Sequence, residues 1–333
     1  MRIDWSAWSL PVALWWCFLL AVSATNIVMF VILLRRFRAR ERSARWRWFR
    51  IKRWGEQWGE AWMLLCAAYV FGCAFRAVLP RADVQRICLF DTWLSTVVVG
   101  RSVATVAEIC FALQWAIVLR QIAMLTKSDT AHNISRAIVP LILLAEGCSW
   151  YAVITTDYLG NALENSLWAI AFLLVAVALL RLLVEFHGLP RLVMATALIG
   201  LAGYVAFMAM VDVPMYLARW DADAASGKAS LSVLAGLYDV STRLVVTQDF
   251  APWSQEIAWM SLYFSVAVWT SLALCAFHLV RHRLPRYRAR SAWPVLRSVR
   301  LLALEHKALA HKARSRRVPP RRYVEVSAEV RGR

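Results

Sequence analysis

The sequence predicts an all-α integral membrane protein, a bundle of about seven transmembrane helices with an extracytoplasmic amino terminus and a cytoplasmic carboxyl terminus. Three observations carry this. First, the 333 residues are 60% apolar with a mean hydropathy of +0.52, whereas soluble domains lie near about 45–50% apolar. Second, the apolar residues gather in successive runs of about 20, the length that crosses a hydrocarbon core. Third, the charge is arranged by topology. Residues 35–53 hold ten Lys/Arg and one Glu, a net +9, and residues 281–333 hold sixteen Lys/Arg and three Glu, a net +13, within a total of +18. Cytoplasmic segments of membrane proteins are enriched in Lys and Arg. Many of the 18 Trp stand at the ends of the apolar runs, where interfacial belts form.

The first span is read at about Leu10–Leu34. Val22-Ser23-Ala24 loosely fits a signal cleavage site, but the apolar run continues to Leu34, beyond a signal core of about 7–15 residues, so this helix is expected to stay uncleaved. The basic segment 35–57, with Trp46, Trp48 and Trp54 interleaved, directly abuts the span. It reads as a juxtamembrane loop on anionic lipid at the cytoplasmic face rather than as a nucleic-acid-binding arm. The second span, about Trp58–Leu79, carries Arg76 near its outer end and stops at Pro80. A polar link with Asp83, Arg86 and Asp91 follows; a re-entrant segment at 83–94 would change the count of spans.

The third span, about Leu94–Leu125, holds Arg101, Thr105, Glu108 and Ala112 at the i, i+4, i+7, i+11 spacing of one helix face. Gln114 lies off that face. A polar loop, TKSDTAHNISR, leads to the fourth span, about Ala137–Ile154, with Glu146 near mid-membrane. The outer link TTDYLGNALENS contains Asp157. The fifth span, about Ala162–Leu183, opens with Asn161, Glu164, Asn165 and Trp168 on one face. The sixth, about Arg191–Val211, carries Ala195, Gly200, Gly203 and Ala206, small residues that let membrane helices approach closely, and is expected to end at Asp212-Val213-Pro214.

The outer loop 212–255 places Leu234, Leu237, Tyr238, Leu244 and Val245 at helical spacing, an amphipathic helix on the outer surface and a candidate lid. The seventh span is about Ile257–Val280. Residues 1–280 therefore form one transmembrane domain and residues 281–333 a basic cytoplasmic tail, mildly amphipathic at Trp293–Leu304.

Charge within hydrocarbon costs roughly 2.5–3.5 kcal/mol per residue on insertion scales, so intramembrane charges are paired and mark sites by default. The expected ligand-binding residues are Arg101, Glu108 and Glu146 at depth, with Arg76, Asp91, Asp157, Glu164 and Asp212 nearer the outer surface. Arg101 can neutralise only one of Glu108 and Glu146. The other then needs a proton, a cation or a cationic group of a ligand. The polar residues fall in the central and outer parts of the bundle, which predicts a cavity open to the outer side.

None of the five Lys falls in a predicted span, which excludes a retinal-type Schiff base. The six His lie in inner links, at the inner edge or in the tail, so an intramembrane haem or His-bound zinc has no ligands. The seven Cys show no CxxC or Cys/His cluster, so neither a disulfide framework nor a metal site is indicated. No catalytic motif stands in a suitable context, and no cofactor is expected.

Three functions fit: binding, sensing or transport of a small or lipid-like ligand; an integral-membrane enzyme using carboxylate acid/base chemistry on a lipid or isoprenoid; or a structural subunit of a membrane complex. The expected partners are membrane lipids and a membrane protein, in the cell (inner) membrane; nucleic acid is not expected.

Overall fold

A computed structural model describes residues 8–45 and 58–280. Part of the basic loop, residues 46–57, and the whole tail, including the amphipathic stretch Trp293–Leu304, lie outside the described residues. Ten helices are described: α1 Leu10–Arg45, α2 Trp58–Val78, α3 Val97–Thr126, α4 Asp129–Thr155, α5 Tyr158–Leu183, α6 Leu189–Phe207, α7 Val213–Ala225, α8 Val233–Thr242, α9 Phe250–Leu262 and α10 Val268–Val280. Five-residue π-helical turns at Met208–Asp212 and Tyr263–Ala267 join α6 to α7 and α9 to α10. Counting these continuations, seven helices are long and apolar enough to cross a membrane. Their outer faces suit lipid: Leu64, Leu144, Ile199 and Met210 are all exposed, while charged side chains are buried inside.

Sequence neighbours pack side by side, α1 on α2, α2 on α3, and so on to α6 on α5. The α9–α10 helix closes the bundle against α1 and α2. Aromatic contacts hold this closure, including the Trp15–Trp253 rings at 5.4 Å and the Tyr69–Tyr263 rings at 6.3 Å. Trp15 also donates to Ser261 and Asn26 to the Phe264 carbonyl, so the first and last spans are joined by polar contacts as well.

Several helices are longer than periodicity predicts. The polar loop before the fourth span is reduced to Lys127 and Ser128, because Ser128 accepts from the Ala131 amide and caps α4. The link before the fifth span is reduced to Thr156 and Asp157, because Asp157 accepts from the Leu159 amide and caps α5. Lys127 and Thr156 both take the left-handed conformation that ends the preceding helix. Helix α1 runs on to Arg45, eleven residues past the predicted end.

The sixth span does not stop at Asp212–Pro214. A proline inside a helix lacks one donor and crowds the preceding turn. The wider π turn at Met208–Asp212 lies immediately before α7, whose second residue is Pro214, and the helix continues to Ala225.

Residues 83–94 form no re-entrant helix. Strands β1 (Arg81–Ala82) and β2 (Ile87–Cys88) pair antiparallel, and β3 (Val245–Val246) adds to β2 in parallel. Leu244 and Val245 therefore belong to an extended segment, not to the amphipathic helix, which ends at Thr242. In α8, Leu234 and Tyr238 are 81% and 74% exposed. This sheet, α8 and the first residues of α1 share one end of the bundle, the hairpin end. In α6, Gly200 and Gly203 meet no neighbour within 4 Å where a Cβ would stand, so no described helix uses their small size.

One close approach that does need glycine is between α4 and α5. A Cβ at Gly160 would lie 2.7 Å from the Cys148 carbonyl oxygen and 2.9 Å from the Ala152 nitrogen, both backbone atoms. Gly160→Ala should therefore lower stability by about 1–3 kcal/mol, read as a lower melting temperature in detergent. Gly200→Ala, with open space, should leave it nearly unchanged.

Candidate functional site

The centre of the polar interior is Arg101. Its Nη2 donates to Glu146 Oε2 at 2.8 Å, Glu164 Oε1 at 3.0 Å and Glu108 Oε2 at 3.2 Å. The side chains come from α3, α4 and α5, and all four are buried. At 1.5 Å per residue from the hairpin-end termini, Arg101 sits roughly 6 Å deep, Glu164 roughly 9 Å, Glu146 roughly 14 Å and Glu108 roughly 16 Å. One guanidinium thus joins three carboxylates rooted at different depths.

Each carboxylate has a further donor or neighbour. Thr105 donates to Glu146 at 2.6 Å and in turn accepts from the Trp150 indole at 3.1 Å. Tyr263 donates to Glu108 at 2.7 Å, and Asn161 to Glu164 at 3.1 Å. Buried polar atoms here without a hydrogen-bond partner include Glu146 Oε1, Ser149 Oγ, Asn161 Oδ1, Arg101 Nε and Arg76 Nε.

The hairpin supplies a second layer. Arg81 Nε holds Asp83 at 2.8 Å, its Nη1 donates to the Thr96 carbonyl, and Arg76 approaches Asp83 at 3.7 Å. Gly100 leaves room for this arginine, since a Cβ there would stand 2.5 Å from Arg81 Cδ. Arg86 ties the hairpin to α8 and α4 through Asp239 at 2.7 Å and the Val153 carbonyl at 2.8 Å. A third layer lies on α7 and α9. Arg219 donates to Gln255 and to Glu256 at 3.4 Å, and Gln85 of the hairpin reaches Glu256 at 3.4 Å. Asn165 donates to Asp212.

Both π turns deliver a side chain to this region: Asp212 comes from the first and Tyr263 from the second. Such turns often mark functional positions because they rotate side chains out of helical register.

A cavity of about 80 Å³ lies among these layers. Its walls include Arg76, Arg101, Glu108, Glu164, Glu256 and Tyr263, with residues 81–85 of the hairpin over it. No residue of α8 lines it, so the amphipathic helix is not the cover; the hairpin, α7 and α9 are.

Of the predicted site residues, Arg101, Glu108, Glu146 and Glu164 meet directly. Arg76 lines the cavity, and Asp212 joins through Asn165, itself a cavity residue. Two do not converge. Asp91 is exposed on the link, and Asp157 is the amino-terminal cap of α5, accepting from Leu159. Gln114 is also apart, accepting from Ser271 on α10 at 2.7 Å. Sequence reasoning missed the roles of Asp83, Gln85, Arg219 and Tyr263; none has a periodicity signal linking it to α3.

Around the cavity the guanidinium groups of Arg76, Arg81, Arg101 and Arg219 face six carboxyl groups, those of Asp83, Glu108, Glu146, Glu164, Asp212 and Glu256. Two carboxyls are thus left without a balancing arginine. Oxygen atoms of Glu108, Glu146 and Glu164 lie within 4.8 Å of one another, a spacing that suits a metal ion. Arg101 Nη2 already stands about 3 Å from one oxygen of each, so the protein's own cation takes that position.

No family model, curated protein or solved structure matches this chain.

Removing Arg101 would leave three carboxylates facing one another in a dry interior. Arg101→Met should cost about 3–5 kcal/mol, the usual penalty for breaking a buried ion pair, measured by thermal unfolding in nanodiscs.

In the hairpin, outside the spans, burial raises the Asp83 carboxyl, but Arg81 and Arg76 outweigh it and hold the carboxyl below its ordinary value. A depressed acid stabilises the fold above its unfolded pKa, and that contribution is lost as pH falls through the folded value. Asp83→Asn should therefore destabilise at neutral pH, by roughly 3 kcal/mol. The gap to the parent protein should narrow only below about pH 4, as followed by melting at successive pH values.

Proposed function

We propose that this chain is a multi-pass membrane protein that binds a small ligand in the cavity beneath the hairpin, as a sensor or transporter. The observation that carries this reading is the excess of buried carboxyl groups over guanidinium groups around a cavity inside an otherwise apolar bundle. A helix clamp alone needs one acid per arginine. Arg101 instead meets three, and uncompensated charge in hydrocarbon is selected against unless a proton or a ligand answers it. The two π turns that aim Asp212 and Tyr263 at the same region support the reading, because each gives up regular helix to do so.

The proposed topology puts the amino terminus and the hairpin end on the extracytoplasmic side of the cell (inner) membrane. Its support is the charge of segments 35–53 and 281–333, a net +9 and +13, which follow the first and seventh spans. On this topology the ligand enters from outside, past Gln85, Arg219 and Glu256. The same basic segments would rest on anionic lipid at the cytoplasmic face.

The test is a thermal-shift panel on the nanodisc-embedded protein, with an alkylammonium, a carboxylate, inorganic phosphate, a sugar and a short-chain phospholipid. At least one class should stabilise the parent chain, and that stabilisation should be lost in Glu164→Gln. If no class stabilises it, the ligand reading fails, and a Glu164→Gln variant that melts lower than the parent would leave the carboxylates as only a clamp between helices.

A further inference from the structure

The chemistry of the cavity wall narrows the class of ligand. Resting on the reading of the cavity as a ligand site, we propose that it takes an organic ammonium group, held between the carboxylates of Glu108, Glu164 and Glu256 and the rings of Tyr216, Trp259 and Tyr263.

Charge is the first argument. The arginines around the cavity are each held by an acid: Arg76 and Arg81 by Asp83, Arg101 by the three glutamates and Arg219 by Glu256. The two carboxyls left over can be balanced by a cation, and an anion would deepen the imbalance. Unused acceptors point the same way. Asn161 Oδ1, on a cavity residue that is 92% buried, has no donor, and neither does Glu146 Oε1 in the layer behind. An ammonium is donor-only. Arg76 Nε and Arg101 Nε are unused donors, but both side chains are already held through their Nη2 atoms.

The aromatic wall separates an organic cation from a metal ion. Trp259 and Tyr263 form a corner, ring centroids 5.8 Å apart and tilted by 46°, and Tyr216 also lines the cavity. Ring faces attract alkylammonium groups and recognise quaternary ammonium in particular. The protein already shows this at the edge of the cavity: the Arg219 guanidinium lies 5.4 Å from the Tyr216 ring and 5.6 Å from the Tyr158 ring, beside Glu256. Size agrees, since about 80 Å³ accommodates roughly five to eight water-sized groups, enough for an ammonium head with a few carbons.

The ammonium can come from a free amine or from a lipid headgroup, and the experiment distinguishes them. Methylammonium, tetramethylammonium and ethanolamine are titrated against the protein in phosphatidylglycerol nanodiscs at constant ionic strength, with sodium as the reference cation. The ammonium ions should bind at least about tenfold more tightly than sodium, and Glu164→Gln and Trp259→Leu should each weaken binding about tenfold. Repeating the titration in phosphatidylethanolamine nanodiscs assigns the source: competition by the lipid identifies the headgroup, and unchanged binding a free amine. Equal affinity for sodium, or ammonium binding indifferent to both substitutions, overturns the proposal. The sodium comparison uses the parent chain and so does not depend on the variants folding. If another class in the ligand panel binds and needs Glu164 while no ammonium does, the ammonium assignment fails and the ligand site stands. If nothing binds, both fail.

Discussion

The structure depends on a single buried cation. Arg101 Nη2 is the point at which α3, α4 and α5 are electrostatically joined, through Glu108, Glu146 and Glu164. In a bilayer, apolar packing between helices gains little from expelling lipid, so specific polar contacts and close fit decide which faces meet. Here the charged faces of three consecutive helices can only point inward and toward one another. That fixes their rotation, and with it the positions of Thr105, Trp150 and Asn161 around the carboxylates.

The hairpin end follows from the same constraint. Arg76, Arg81, Arg86 and Arg219 could each have reached water or headgroups. Instead they hold Asp83, Asp239 and Glu256, which folds residues 81–95 inward and knits them to α7, α8 and α9. The result is a graded polar interior. The most exposed layer is the Arg219 contact with its tyrosine rings, next comes the hairpin arginine pair, and the deepest is the glutamate cluster, with the cavity passing between them. The opposite half of the bundle contains little of this kind among the described residues, apart from Gln114 and Ser271.

Much of the fold was legible because a run apolar and long enough to cross a membrane has to be a helix there, since in lipid its backbone groups have no other partner. The i, i+4, i+7 placement of Arg101, Thr105 and Glu108 was readable for the same reason, as a polar face on an otherwise apolar helix. Glu164 was readable as a candidate but not as a direct partner of Arg101, because its distance from Arg101 depends on how α5 rotates against α3. Helix ends were misjudged where capping residues looked like loop: Ser128 and Asp157 are ordinary amino-terminal caps, but they sit in polar runs that resemble links. The π turns carry no clear signal beyond Pro214, and the pairing of Ile87 with Val245 joins residues far apart in sequence that no periodicity connects. Asp91 and Asp157 were drawn into the candidate site by charge alone; one faces solvent and the other caps a helix.

A double-mutant cycle between Arg101 and Glu146 tests the central claim most directly, using unfolding free energies of Arg101→Met, Glu146→Gln and the double variant in nanodiscs. If the guanidinium answers the carboxylate in a dry interior, the effects are strongly non-additive, and the double variant is more stable than Arg101→Met alone because an unanswered charge has been removed. Additive effects, with the double variant the least stable of the set, would show that the two groups do not meet and that the polar interior is organised in some other way.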